Sequence, residues 1–282
     1  MTDGCPFLVP SKRAILCLSE KVGSTTWKFA LLRAQPAAWR YHDLDYSPHI
    51  KPPSGTSADE FAAAVAKSAA PRFMLVRNPY SRFLSAYLDK VRLQNKTALW
   101  PRRFRDGLDH SFAALINATC APGVKDVDRH FLPLSRSCLM SKPGAAPSHP
   151  YDFFLKVEQI ERWYLPFVRA IGLESTVKHG WNASTYWWHS QRDCFYAPAG
   201  VTCAVFHKLD SATAASAAPP AQGTSMPASF HATGADSQLN TYYTPKLAEA
   251  VTRCAENDLA IFGYPRWNGV DGLAYLRRLR LG

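Results

Sequence analysis

Two short stretches of this sequence combine basic and hydroxyl side chains in a spacing that suits an anionic ligand. The first is Lys21-Val-Gly-Ser-Thr-Thr-Trp27, and the second is Arg77-Asn-Pro-Tyr-Ser-Arg-Phe-Leu-Ser-Ala-Tyr87. Lysine and arginine donate charge-assisted hydrogen bonds to phosphate or sulfate oxygens, and serine and threonine hydroxyls add neutral donors. Together the two stretches predict a site for a ligand with anionic groups at both ends.

Each stretch begins where a predicted buried strand runs into a predicted helix. Residues 14–19 and 73–76 predict these strands, and residues 153–157 predict a third. After the second strand, Asn78 is a favourable helix N-cap and Pro79 fits the first helical turn. Such turns direct free backbone N–H groups and the positive end of the helix dipole at one point, which favours a phosphate or sulfate there.

Both stretches resemble motifs of a known enzyme family, the Golgi carbohydrate sulfotransferases of the chondroitin, dermatan and HNK-1 type. The family's second motif, Arg-x-Pro-x-x-Arg-x-x-Ser-Ala-Tyr, is met at every fixed position from Arg77 to Tyr87. Its first motif, Lys-Val-Ala-Cys-Thr-Asn-Trp, is similar to residues 21–27. The departures from that motif are Gly23, Ser24 and Thr26. Similar stretches occur further along the chain, so the resemblance covers roughly residues 12–265.

The resemblance implies a single domain over residues 1–282 with an α/β fold, namely a P-loop-like three-layer α/β/α architecture around a central parallel sheet. It also implies an enzyme that carries sulfate from 3′-phosphoadenosine 5′-phosphosulfate (PAPS) to a hydroxyl group of a carbohydrate. Like phosphoryl transfer, this reaction depends on holding two oxygens roughly in line and on stabilising the charge that moves onto the leaving oxygen.

The same resemblance implies roles for individual residues. Lys21 is expected to be the catalytic cation beside the leaving oxygen, where a fixed charge helps most. Arg77 and Ser85 are assigned to the 3′-phosphate of the donor. The 5′ end of the donor is expected at the first turn. The donor-binding residues of that turn are Lys21, Gly23, Ser24, Thr25, Thr26 and Trp27.

A sugar hydroxyl is a poor nucleophile, so a base is expected to accept its proton. Histidine suits this task by its pKa, and His130 is the candidate because it begins a His-x-x-Pro stretch similar to that of the family. The glutamine that follows this stretch in the family is Leu134 here. Glu20, beside Lys21, is the second candidate for the base.

Three further charged residues each have two interpretations. Arg82 either contacts the nucleotide or forms a structural tie by pairing with Asp89 or another acid, and the tie is favoured. Lys156 and Glu158 match a Lys-x-Glu pattern of the family. They form either a salt bridge beside the cleft or contacts to the substrate.

The chain is basic, with 33 Lys and Arg against 22 Asp and Glu and a net charge of +11. This charge favours anionic ligands, and nucleic acid is among them. The resemblance implies PAPS and an acidic glycan as the partners, and no nucleic acid is expected. No Gly-x-x-x-x-Gly-Lys-Ser/Thr string and no metal-binding carboxylate set are present, so no metal is expected. Two alternatives stay open: a nucleotide kinase with a degenerate P-loop, and a catalytically inactive basic protein that binds glycan or nucleotide.

The resemblance and two sequence features bear on the expected compartment. No apolar run reaches the roughly 18 residues of a membrane helix, so no transmembrane segment is expected in this chain. Relatives are usually anchored by an N-terminal helix, and the resemblance implies the Golgi lumen or membrane. Three N-glycosylation sequons, at Asn95, Asn117 and Asn182, favour a secretory compartment.

The seven cysteines leave at least one unpaired if all pairing is internal. Candidate disulfides are Cys194–Cys203 and Cys120–Cys138. Cys17 and Cys254 are predicted to be buried apolar fillers.

The last third of the sequence contains one predicted loop and one predicted helix. Residues 211–238 are rich in Ala, Ser, Pro, Gly and Thr, which predicts a mobile loop. Thr244 and Pro245 then predict the start of an amphipathic helix that Gly263 ends.

Overall fold

The computed structural model describes residues 6–8, 14–24, 27, 31, 69–121, 123–124, 127–136, 151–174 and 233–281. Its sheet has four strands in the order β1–β2–β3–β4. The strands are β1 (Pro6–Leu8), β2 (Ile15–Cys17), β3 (Arg72–Val76) and β4 (Phe153–Lys156). Strands β2, β3 and β4 are parallel, whereas β1 pairs antiparallel with β2. The predicted α/β fold is confirmed, and β1 adds an antiparallel strand to its parallel sheet.

Helices make up most of the described residues outside the strands. They are α1 (Pro79–Ala86), α2 (Arg102–Arg105), α3 (Phe112–Cys120), α4 (Ile160–Ala170), α5 (Leu239–Tyr242), α6 (Pro245–Cys254), α7 (Glu256–Phe262) and α8 (Gly272–Leu281). A π-helical segment, Tyr87–Leu93, continues α1. Short 3-10 helices are Thr97–Leu99, Leu134–Arg136, Val157–Gln159 and Ala235–Gln238. None of the helices described is long and apolar enough to cross a membrane.

Aromatic side chains attach helices to both faces of the sheet. On one face, the rings of Phe73 and Phe153 stack 5.0 Å apart, and Phe167 of α4 lies 4.9 Å from Phe73. The neighbouring residue on β4, Phe154, packs 5.0 Å from Phe262 of α7. Because successive strand side chains point to opposite faces, α4 and α7 lie on opposite sides of the sheet. This arrangement agrees with the predicted three layers.

Helix α1 starts as predicted, directly after β3. The Asn78 side chain accepts hydrogen bonds from the backbone N–H groups of Tyr80 (3.1 Å) and Ser81 (3.3 Å), and Pro79 occupies the first turn. The amide of Asn78 also donates to the hydroxyl of Tyr275 at 2.7 Å. The cap therefore fixes the helix N-terminus at the carboxyl end of β3 and ties it to α8.

The predicted helix after Thr244 is interrupted once. The Thr244 side chain caps α6 by accepting from the N–H of Leu247 at 3.3 Å. The chain leaves helical geometry at Ala255, so α6 and α7 are separate helices. Gly263 ends α7 with φ of +62°, a left-handed conformation that glycine adopts without strain.

The cysteine predictions are wrong at three positions. Cys120 pairs with Cys254, with Cα atoms 5.1 Å apart, and not with Cys138. The pairing arises because the ends of α3 and α6 pack together and bring two half-buried thiols into contact. Cys17 is also disulfide-bonded, so neither Cys17 nor Cys254 is an apolar filler. The candidate pair Cys194–Cys203 lies outside the described residues.

The end of the predicted mobile loop at 211–238 contains a short helix, and its mobility stays a prediction. Residues 233–238 are described, and Ala235 is almost fully buried at the start of the 3-10 helix Ala235–Gln238. Residues 211–232 and the sequon at Asn182 lie outside the described residues. The prediction of one domain over residues 1–282 stays a prediction.

Candidate active site

The two strand-to-helix turns meet at the carboxyl ends of neighbouring parallel strands. Arg77, directly after β3, donates from Nη1 to the backbone carbonyl of Lys21 at 3.3 Å. Arg82, one turn into α1, donates from Nε to the carbonyl of Glu20 at 3.0 Å. The second motif thus holds the backbone of the first motif through two arginines.

Arg82 is a structural tie, as favoured from the sequence, but its partners differ from the expected ones. It is almost fully buried and also donates to the carbonyls of Arg129 (3.1 Å) and Leu132. Burial lowers the pKa of Arg82 to about 10, against the opposing charges of Asp258 and Glu20. Arg82 therefore joins the first turn to the segment that carries His130.

Lys21 is held in place at the head of the first turn. Its φ of +67° lies in the left-handed region, which is uncommon for a residue with a side chain and is often found at functional sites. Its ammonium donates to Asp89 Oδ2 at 2.9 Å, and Lys90 Nζ lies 2.9 Å from the same oxygen. Burial lowers the pKa of Lys21, while Asp89 opposes that shift. Lys21 is thus an ordered, buried cation, with 8% of its side chain exposed.

The rest of the first turn is described in part. Gly23 has φ of +80° and open space where a Cβ would stand, so its backbone conformation is what favours glycine here. Its carbonyl accepts from the N–H of Trp27 at 3.3 Å, and Ser24 is buried at the start of the helical turn. Thr25 and Thr26 lie outside the described residues.

Trp27, predicted with the donor-binding residues, has its side chain in the core. It is 1% exposed, and its ring lies 6.1 Å from Trp163, 5.9 Å from Tyr164 and 5.4 Å from Phe167. The ring thus anchors the helix after the turn against α4. Any contact of Trp27 with a donor would have to use its backbone.

Arg77 and Ser85 share a neighbour that the sequence did not predict. Arg77 Nη2 forms an ion pair with Asp236 Oδ1 at 2.7 Å, and Ser85 Oγ accepts from Thr233 Oγ1 at 3.2 Å. Within the described residues, Arg77 Nε is buried with no hydrogen-bond partner. Burial would raise the pKa of Asp236, but the charge and hydrogen bond of Arg77 hold that pKa below its usual range. The expected phosphate ligands are therefore adjacent and in contact with residues 233–238.

The two candidate bases, His130 and Glu20, are neighbours. His130 Nδ1 hydrogen-bonds Asp128 Oδ1, and His130 Nε2 lies 3.6 Å from Glu20 Oε2. Burial would raise the pKa of Asp128, but the hydrogen bonds from the ring and backbone of His130 lower it. A carboxylate on Nδ1 favours the tautomer with its proton there, which leaves Nε2 as the acceptor.

Leu134, which replaces the family's glutamine, is a core residue. Its side chain is fully buried, and its N–H donates to Asp258 Oδ2 at 2.7 Å. The N–H of Ser135 donates to the other oxygen of Asp258, also at 2.7 Å. Asp258 therefore fixes the segment after His130, although burial raises the pKa of Asp258.

Lys156 and Glu158 contact different partners and form no direct salt bridge. Glu158 accepts from the N–H of Asn78 and from the Tyr264 hydroxyl, both at 2.8 Å, and its burial raises its pKa. Lys156 donates to the carbonyl of Gly263 at 3.0 Å and lies 4.8 Å from the Tyr264 ring centroid. Glu158 thus supports the same helix N-terminus that Asn78 caps.

Comparison with known families identifies the class of protein that this geometry belongs to. The model of the sulfotransferase family matches residues 7–186, and the chain therefore belongs to that family. The matched region includes both turns and His130, whereas residues 233–281 follow it. Neither a comparison with curated proteins nor one with solved structures gives a match. The family assignment makes the protein a transferase of sulfuryl groups.

Proposed function

We propose that this protein transfers a sulfuryl group from PAPS to a hydroxyl group of a carbohydrate. The observation that carries the proposal is the hydrogen bond from Arg77 to the carbonyl of Lys21, which holds the two turns together. It brings an ordered ammonium and a guanidinium to one edge of the sheet. The buried Nε–H of Arg77 lacks a partner among the described residues, as expected for a donor reserved for an anion.

We propose that the donor binds along this edge of the sheet, with its 3′-phosphate near Arg77 and its 5′ end near Lys21. In the proposed arrangement, Arg77 and Ser85 bind the 3′-phosphate, and the first turn binds the 5′ end through the N–H groups of residues 23–26. Lys21 lies beside the bridging oxygen. As the sulfur–oxygen bond to the phosphate breaks, the ammonium of Lys21 stabilises the charge left on that oxygen.

The acceptor oxygen forms the new bond to sulfur and gives up its proton to a base. We assign this role to His130 Nε2, because Asp128 occupies the other ring nitrogen. Glu20, 3.6 Å from that nitrogen, is the second candidate and can also stabilise the protonated ring. Glu20 precedes Lys21 in the sequence and lies beside His130, so proton removal and charge stabilisation are proposed to occur at one site.

The net charge supports the proposed acceptor, and the disulfides support the proposed compartment. A net charge of +11 favours an acidic glycan. The Cys120–Cys254 disulfide and the disulfide at Cys17 support an oxidising compartment, because such bonds persist there and are rare in the cytosol. We therefore propose that the protein acts in the Golgi lumen or at its membrane.

Two measurements test the donor. The first is transfer of labelled sulfate from PAPS to a panel of native and desulfated glycans, with and without EDTA. The second compares binding of 3′-phosphoadenosine 5′-phosphate and adenosine 5′-phosphate. Arg77→Ala should weaken the first ligand by roughly ten- to a hundredfold and the second much less, since only the first carries the 3′ group. The exposed Arg266→Ala is the matched control for loss of a positive charge.

The alternatives give different results. Equal weakening of both nucleotides by Arg77→Ala would reject the assignment of the 3′-phosphate. Phosphoryl transfer that EDTA abolishes and Mg²⁺ restores would favour a kinase. Binding of 3′-phosphoadenosine 5′-phosphate without any sulfate transfer would favour a catalytically inactive binding protein.

A further inference from the structure

Residues 233–238, here called the 233–238 segment, contact both residues expected to bind the 3′-phosphate. Asp236 forms an ion pair with Arg77 at 2.7 Å, and Thr233 donates to the hydroxyl of Ser85 at 3.2 Å. The carboxylate is an oxyanion held by a guanidinium, as a phosphate would be. The segment therefore presents an anion of the protein itself to the guanidinium expected to bind the 3′-phosphate.

The hydrogen bonds of Arg77 show why the carboxylate and a phosphate would compete. A two-point grip on a phosphate needs two neighbouring N–H groups of the guanidinium. Nη1 donates to the carbonyl of Lys21, Nη2 donates to Asp236, and Nε is buried. The carboxylate on Nη2 takes a donor that a two-point grip would use, and it would also repel the phosphate dianion.

The side chain of Asp236 can leave without unfolding the segment. The turn is closed by its own hydrogen bonds, from Ser237 Oγ to the carbonyl of Gly234 at 2.9 Å and from Gln238 Nε2 to the carbonyl of Thr233 at 2.9 Å. The Asp236 side chain is 35% exposed, whereas Arg77 is 16% exposed. Rotation of Asp236 therefore moves a half-solvated carboxylate into water and leaves the cation in place.

We propose that Asp236 is an internal competitor of the donor, occupying the position of the 3′-phosphate on Arg77 until PAPS displaces it. The inference rests on the proposed function, because it uses the assignment of the 3′-phosphate to Arg77. It makes Asp236 a determinant of donor affinity. A ligand with a 3′-phosphate has to displace the carboxylate, and a ligand without that group leaves the ion pair intact.

The test is calorimetric binding of 3′-phosphoadenosine 5′-phosphate and adenosine 5′-phosphate to the full chain. Asp236→Asn should tighten the first ligand by roughly tenfold and leave the second unchanged, since the competing charge is removed. Ser237→Ala is the matched control, because Ser237 lies on the same turn and bonds only within it among the contacts described. In the Arg77→Ala background, Asp236→Asn should have no effect on either ligand.

Each outcome decides one proposal. Unchanged or weaker binding of the 3′-phosphorylated nucleotide to Asp236→Asn would overturn the competition, with Asp236 then positioning Arg77. Asp236→Ser repeats the measurement if the asparagine variant has a lowered Tm. If Arg77→Ala weakens both nucleotides equally, the assignment of the 3′-phosphate to Arg77 fails, whereas an absence of sulfate transfer from PAPS would reject the proposed function itself. If the 3′-phosphate effect depends on Arg77 but not on Asp236, only the competition fails.

Discussion

Replacing Asp89 by Asn should perturb both the stability of the protein and the charge state of Lys21. The Asp89 carboxylate is almost fully buried, and one of its oxygens lies 2.9 Å from both Lys21 Nζ and Lys90 Nζ. At an effective dielectric constant near 20, two unit charges at this 2.9 Å distance attract by about 6 kcal/mol before desolvation is counted. Breaking a buried pair by removing one partner costs about 3–5 kcal/mol, and here two lysines lose their partner.

The catalytic effect is read from the pH dependence of kcat. In its proposed role Lys21 stabilises the leaving oxygen only when protonated, so kcat should fall as pH rises through the pKa of Lys21. Burial lowers that pKa, Asp89 raises it and Lys90 lowers it. Asp89→Asn should therefore move the alkaline limb to lower pH, and Lys90→Met should move it to higher pH. Lys21→Arg should also move the limb to higher pH, because a guanidinium holds its proton more strongly than an ammonium.

Lys21→Met and Lys90→Met form the matched pair that separates catalysis from stability. Both remove one cation from Asp89, so each should lower the free energy of unfolding by about 1–2 kcal/mol. Only Lys21→Met should lower kcat by about two to three orders of magnitude, the cost of losing one charge-stabilising donor, with a small effect on donor affinity. Near-normal kcat in Lys21→Met, or equal loss in both variants, would refute the role of Lys21.

Three further predictions follow from the site and the fold. His130→Ala should lower kcat about a hundredfold and leave PAPS binding nearly intact; near-normal turnover would move the base to Glu20. Cys120→Ala with Cys254→Ala should lower the free energy of unfolding in denaturant by about 2–5 kcal/mol, because the bond closes a separation of 134 residues. The Asp236 ion pair should contribute about 1 kcal/mol after solvent screening. Because Arg77 lowers the pKa of Asp236, this contribution is present above the unfolded pKa and is lost as pH falls through the folded pKa. Wild type and Asp236→Asn should therefore differ in urea midpoint at pH 7 and converge as the pH falls below the folded pKa of Asp236, and a constant difference would contradict the assignment.

Local sequence signals predicted the parts of the fold that depend on near neighbours. The strands that precede the two turns, the Asn78 cap and the Gly263 helix end follow from apolar runs and from residues with strong positional preferences. The Cys120–Cys254 bond could not be predicted, since it depends on how α3 and α6 pack across a separation of 134 residues. Sequence spacing instead suggested a nearer partner for Cys120.

The candidate site was predicted less completely than the fold. Lys21, Arg77 and Ser85 are site predictions because they stand in recognisable motifs, and Asp89 was considered only as a partner of Arg82. Asp236 gave no signal because it lies at the end of a segment rich in small residues. Its partner, Arg77, lies 159 positions away in the sequence, so the ion pair can be recognised only in the folded chain.

Most residues of the second motif position the elements around the site, and each does so through a different contact. Pro79 starts the helix, Arg82 satisfies three carbonyl groups, and Tyr87 donates to the carbonyl of His110 at 3.2 Å. The hydrogen-bond donors of Arg82 and Tyr87 already have partners within the protein and so are not available to a ligand. Arg77 differs, because its Nε–H is buried without a partner among the described residues and its Nη2 is held by a carboxylate that can rotate away. Arg77 is therefore the residue of this motif where a change should alter donor binding more than stability, whereas a lysine at position 82 could not reach three carbonyls and should unfold the turn that carries Lys21.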